Sequence, residues 1–135
     1  MLLCALVLGA WVSPLRGDPG GAIDLRVMSF NIRVLNTDDA VENQWTNRID
    51  RVCALIKEVQ PDLLGVQEAV PQQYEDVKAG LDGYVSIFAG RDDGIKGEGT
   101  PIFYKADRFR LVDSGHFWLS PTPNQPSIGW NASCN

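Results

Sequence analysis

Apolar residues follow two rhythms along this chain, and each rhythm predicts a different element. Leu25 to Ile32 (LRVMSFNI) is apolar and β-rich without clean alternation, the pattern of a strand covered on both faces. Beyond a polar loop the spacing lengthens: Ile49, Val52, Cys53, Ile56 and Val59 fall at i, i+3, i+4, i+7 and i+10. That period predicts an amphipathic helix, capped by Thr46 or Asn47 and stopped by Pro61. Leu63 to Gln67 is a second short apolar strand. Pro71 stands where a second helix would open, with Tyr74, Val77 and Leu81 on one face, and Asp82-Gly83 reads as the turn after it.

The later half changes character. Tyr84 to Ala89, Pro101 to Tyr104 and Phe109 to Leu119 are expected strands, separated by the Gly- and charge-rich loop Gly90 to Gly99 and by Lys105 to Arg108. Strands joined by loops instead of helices predict antiparallel pairing. Three prolines, Pro121, Pro123 and Pro126, make Ser120 to Ser127 an irregular loop. No internal repeat is present.

A strand, a helix and a following strand form a unit whose two strands run parallel through a right-handed crossover. Their carboxyl ends then share one edge of the sheet, where open α/β folds bind ligands. Asn31 sits near one such end and Glu68 directly after the other. Neighbouring strands lie ~4.8 Å apart, close enough for the two side-chain oxygens to share a Mg²⁺ at ~2.1 Å per ligand. An asparagine at a strand end also forms turns, and a glutamate ahead of a helix also favours its dipole. Spacing by itself leaves both roles open.

Composition narrows the picture. The 135 residues suffice for one modest domain, and a 44% hydrophobic content suffices for a packed core. A formal charge of −5 argues against a free-standing grip on nucleic acid, which is held mainly by Lys and Arg. Leu2 to Val12 is apolar but too short to span a membrane, which takes roughly 20 residues. A secretory leader fits it better than a membrane tether, with residues 1–22 as leader and linker, processing between Gly9 and Ala22, and residues 23–135 as the domain. Secreted or periplasmic placement follows as an expectation, although the positive segment that usually opens a leader is missing. Of the cysteines, Cys4 falls in the leader, Cys53 on the helical face as a small buried hydrophobe, and Cys134 beside the terminus. Neither CxxC nor zinc-ligand spacing occurs. Asn131-Ala132-Ser133 matches a glycosylation acceptor.

Wording now adds to spacing. SFNIR at Ser29 to Arg33, followed by PDLLGVQE at Pro61 to Glu68, resembles the opening motifs of the endonuclease/exonuclease/phosphatase superfamily. Gly83-Tyr84, GEGTPIFYK at Gly97 to Lys105, FWLS at Phe117 to Ser120 and SIGW at Ser127 to Trp130 extend the likeness in order. The resemblance implies a two-sheet α/β sandwich that hydrolyses phosphate esters with Mg²⁺ or Mn²⁺. It gives Asn31 and Glu68 places in the metal and catalytic site, and makes Glu98 a candidate on the substrate side. Substrates in that superfamily range over nucleic acid, phospholipid head groups and phosphosugars, and no stable protein partner is expected.

The resemblance also implies what is missing. Asn131 stands where family members carry Asp, and the later Asp/Asn pair and terminal Asp-His have no counterpart before Asn135. His116, the one histidine, lies in an expected strand and matches no catalytic position. The expectation is therefore the amino-terminal half of a phosphoesterase, truncated and inactive by itself without its carboxyl-terminal half. A non-catalytic secreted binding module that retains half of the sandwich is the alternative.

Overall fold

The computed structural model describes residues 22–129. The expected leader, apart from Ala22, lies outside the described residues, as do Cys4, Trp130, Asn131 and Cys134. Strands β1 (Val27–Asn31), β2 (Leu63–Gln67), β3 (Tyr84–Ile87) and β4 (Ile102–Lys105) form one sheet in the order β1-β2-β4-β3. Helix α1 (Trp45–Val59) joins β1 to β2, and α2 (Pro71–Gly80) joins β2 to β3. β1 and β2 are parallel neighbours with Asn31 opposite Gln67, and β4 runs antiparallel to both β2 and β3. Hence β3 is parallel to β2, and both helical crossovers step in the same direction across the sheet. With one handedness for such connections, two same-direction steps put both helices on the same face.

That face holds the core. Met28, Leu64, Val66 and Phe103 from the sheet meet Trp45, Val52 and Ile56 of α1 and Val77 of α2, with Ile32, Ala69 and Leu81 closing the edges. Ile56 and Leu64 are fully buried, each worth about 1.5–3 kcal/mol by transfer alone. The opposite face is open, with Val27, Val85 and Ile102 exposed. β1 is thus covered on one face and lies at the sheet edge, contrary to the two-sided cover that its run of apolar residues predicts.

The helices meet closely. A Cβ built on Gly80 would lie 2.5 Å from the Cys53 sulfur, so glycine is what lets α2 approach α1 there. Alanine normally gains ~1 kcal/mol over glycine inside a helix, but overlap in a packed core costs ~1–3 kcal/mol. Gly80→Ala should therefore destabilise on balance, read as a lower urea midpoint. A midpoint at or above that of the unaltered chain would show that the contact relaxes freely. Cys53 is buried as expected, and that burial pushes its thiol pKa up.

Three further expectations change. Helix α1 begins two or three residues earlier than a Thr46 or Asn47 cap would place it, at Trp45, with Gln44 as a cap lacking any side-chain bond, while Asn47 donates to the Val41 carbonyl instead. The buried Trp45 decides this, because its ring packs in the core and its Nε1–H donates to Asp76 at 2.7 Å. β3 stops at Ile87 and not Ala89, and β4 is shifted to Ile102–Lys105. Phe109 to Leu119 is not a strand: no described strand pairs with it, and Leu111, Val112, Phe117 and Leu119 face solvent. His116 accordingly sits in irregular chain, edge-on to Trp118 with ring centroids 5.1 Å apart.

Candidate active site

The site is built where β1 and β2 end. Pairing continues one residue past β1, with Ile32 N–H donating to the Gln67 carbonyl at 3.2 Å. Both chains then turn through the left-handed region, Arg33 at φ 61° and Glu68 at φ 62°. Side chains other than glycine hold that conformation at a cost of order 1–3 kcal/mol each, and such strain gathers where function requires it. Here it swings the Glu68 side chain back over β1. Asn31 Nδ2–H donates to Glu68 Oε1 at 2.7 Å, while Asn31 Oδ1 accepts the Arg33 N–H at 2.8 Å. A backbone N–H can only donate, so it fixes which end of the amide faces Glu68. Asn31 is at once the turn former and the partner of the carboxylate.

Glu68 Oε2 accepts the Val34 N–H at 3.0 Å. Its carboxyl is held below the ordinary glutamate range, first by the Asn31 hydrogen bond and next by the Val34 N–H, with Arg33 adding a smaller attraction against partial burial. Glu68 is therefore ionised and aimed, and each of its oxygens retains a lone pair beyond the bond it accepts. An ionised carboxylate beside an amide oxygen is a hard donor set that fits Mg²⁺ or Mn²⁺, ions that take one or two carboxylates and complete their shell with water and substrate phosphate. In this arrangement Asn31 meets Glu68 through its nitrogen, leaving the carboxylate as the freer ligand. Among the described residues no three His, Cys, Asp or Glu side chains cluster as a ready-made cage.

Glu98 is placed differently. Ala69 and Gly99 form an antiparallel bridge, which brings the Glu98 loop against the residue after Glu68. Its carboxylate lies 3.6 Å from Arg91 Nη1, however, and no bond joins it to Asn31 or Glu68. Sequence reasoning missed three residues that shape the edge. Arg33 is doubly bonded to Asp39. Arg48 donates to the Ile32 and Arg33 carbonyls. Gln73, fully buried, binds the segment after β1. The last had a usable signal, a glutamine three residues after the cap position Val70, where it reaches back to the Val70 N–H at 3.4 Å. Valine has no polar atom to return the bond, so only half of a capping box is made.

A family model described as the endonuclease/exonuclease/phosphatase family matches residues 28–130. The chain belongs to the endonuclease/exonuclease/phosphatase family. Within it, an endonuclease/exonuclease/phosphatase protein of Bacteroides vulgatus is 43% identical, superimposes with a TM-score of 0.80, and is matched over 84% of this chain and 44% of its own. The mannosyl-6-phosphatase of Bacteroides thetaiotaomicron is 41% identical at a TM-score of 0.78, over 82% of this chain and 42% of its own. ANGEL2, a 2′,3′-cyclic phosphatase, is 25% identical at a TM-score of 0.59, over 70% of this chain and 31% of its own. The chain spans less than half the length of these solved members and less than a fifth of the curated relatives it matches. The expected fold class, an α/β layer forming part of a family sandwich, is met by these superpositions. Endonuclease/exonuclease/phosphatase family members are hydrolases acting on phosphate esters, and they generally use divalent metals.

Proposed function

We propose that this chain carries the metal-anchoring edge of a divalent-metal phosphatase acting on a sugar phosphate. The observation that carries the reading is the Asn31–Glu68 pair at the shared carboxyl edge of β1 and β2. The 41% identity to the mannosyl-6-phosphatase supports a phosphosugar, and the charge of −5 speaks against long nucleic acid. Mg²⁺ or Mn²⁺ held by Glu68 would polarise a phosphoryl oxygen and offset its charge. Glu68 supplies the anionic ligand, Asn31 and the Val34 N–H keep it ionised and oriented, and Arg33, itself paired with Asp39, adds a smaller attraction that favours the charged carboxylate. Water activation and leaving-group protonation need further acid and base groups. These 135 residues by themselves should therefore show no turnover.

The test places these residues within a polypeptide of full family length and assays a mannosyl 6-phosphate, a 2′,3′-cyclic nucleotide and single-stranded DNA. With Mg²⁺ or Mn²⁺ the phosphosugar should be turned over fastest, and EDTA should abolish the rate. Preference for either nucleic-acid substrate would refute the substrate class, and EDTA-insensitive turnover would refute the metal.

A further inference from the structure

Gln73 is 0% exposed, in the first turn of α2, and both ends of its amide reach the segment after β1, the oxygen also accepting the Val70 N–H of its own helix cap at 3.4 Å. Oε1 accepts the Leu35 N–H at 2.9 Å, and Nε2–H donates to the Arg33 carbonyl at 2.8 Å. Among uncharged side chains, Asn and Gln amides offer a donor and an acceptor at fixed separation on one plane. From α1, Arg48 reaches the same Arg33 carbonyl at 3.3 Å. Arg33 C=O and Val34 N–H are the two ends of one planar peptide unit, so holding the carbonyl aims the N–H in the opposite direction. That N–H is the one Glu68 Oε2 accepts at 3.0 Å.

We propose that Gln73 is a positioning residue for Glu68, acting at one remove: it clamps the Arg33–Val34 peptide plane, and the plane presents its N–H to the carboxylate. The proposal rests on the reading of Glu68 as the carboxylate of the site. Loss of the clamp would leave Arg48 as the sole holder of the Arg33 carbonyl and would strip the Leu35 N–H of its side-chain partner, so that the loop is held at fewer points and can move.

Gln73→Met in this chain tests it, since methionine keeps the length and removes donor and acceptor together. Val34 amide exchange should quicken by about 10-fold or more, and Mn²⁺ affinity, measured by calorimetry, should fall by about 10-fold, the lower end for outer-shell residues. Val77→Ala, a core cavity on the same helix, serves as the control that perturbs α2 without touching the loop, and should leave both readouts near those of the unaltered chain. A folded Q73M with unchanged Val34 exchange, or Val77→Ala moving it equally, would overturn the proposal. If the unaltered chain fails to bind Mn²⁺, the metal reading falls while Val34 exchange still decides the clamp. If Q73M does not fold, the unaltered chain decides: Val34 and Leu35 amides should be protected together, and free exchange at Leu35 refutes the clamp.

Discussion

Glu68→Gln should lower metal-dependent turnover by about 100-fold or more in a polypeptide of full family length, equivalent to ~2.7 kcal/mol of barrier. Glutamine keeps the shape but removes the charge that makes the side chain a ligand for a hard cation. It also breaks the local wiring. Glu68 now accepts from two donors, Asn31 Nδ2–H on one oxygen and Val34 N–H on the other. An amide has a single oxygen, so whichever way it rotates one of those donors meets an NH₂. The loss should fall mainly on kcat if the cation acts on the transition state, and on KM as well if it also holds the ground-state phosphate. Circular dichroism and urea midpoints separate this from unfolding. Turnover within a few-fold of the unaltered protein would remove Glu68 from the metal site.

The element order was legible because it rests on apolar period. β2 has the bounds the run Leu63 to Gln67 predicts, and α2 opens at Pro71 as the fixed φ of proline favours. The parallel pairing of β1 and β2 follows from the crossover rule, and with it the approach of Asn31 to Glu68. What the pattern could not report was cover. Val27 is as apolar as Met28, yet one faces the open side of the sheet and the other the helices. Register shows why both faces read alike: Val27, Leu63, Tyr104 and Val85 form one row, and Met28, Leu64, Phe103 and Ser86 the next. The Phe109 to Leu119 stretch has β-prone residues, but a strand exists only through a partner, and composition does not name one. Arg48 and Gln73 were hidden for a related reason. Each is an ordinary polar helix residue by sequence, and only the packing of α1 and α2 beside the segment after β1 turns it into a backbone ligand.

Asp62→Asn should destabilise the fold by about 2–3 kcal/mol near neutral pH, below the 3–5 kcal/mol that follows when a fully buried charge is left alone. Asp62 stands just before β2 and is nearly buried, its side chain 6% exposed. It accepts the Arg26 N–H at 2.9 Å, the Lys105 ammonium at 3.2 Å and the Arg108 guanidinium at 2.5 Å. One carboxylate thus ties the start of β1, the end of β4 and the turn beyond β4 to the start of β2. Lys105 and Arg108 are 21% and 36% exposed, so water can replace part of what asparagine gives up, which is why the lower figure is expected. The Arg26 N–H leads the forces, and the two cations add to it, that pull the Asp62 pKa from 3.8 to about 2 despite the opposing desolvation. By linkage a depressed acid stabilises the fold in full above its unfolded value of 3.8, loses that contribution as pH falls, and contributes nothing below about 2. At ~1.36 kcal/mol per pKa unit the shift sets a ceiling of about 2 kcal/mol on the part of the Asp62→Asn loss that depends on charge, lowered by the screening water gives at the exposed ends of Lys105 and Arg108. Urea melts of the two chains at pH 7, 4 and 2 should show a gap that is widest at pH 7 and nearly closed at pH 2. A gap of constant size across that range would mean that Asp62 acts through shape and hydrogen bonding alone, and that its charge adds nothing to the fold.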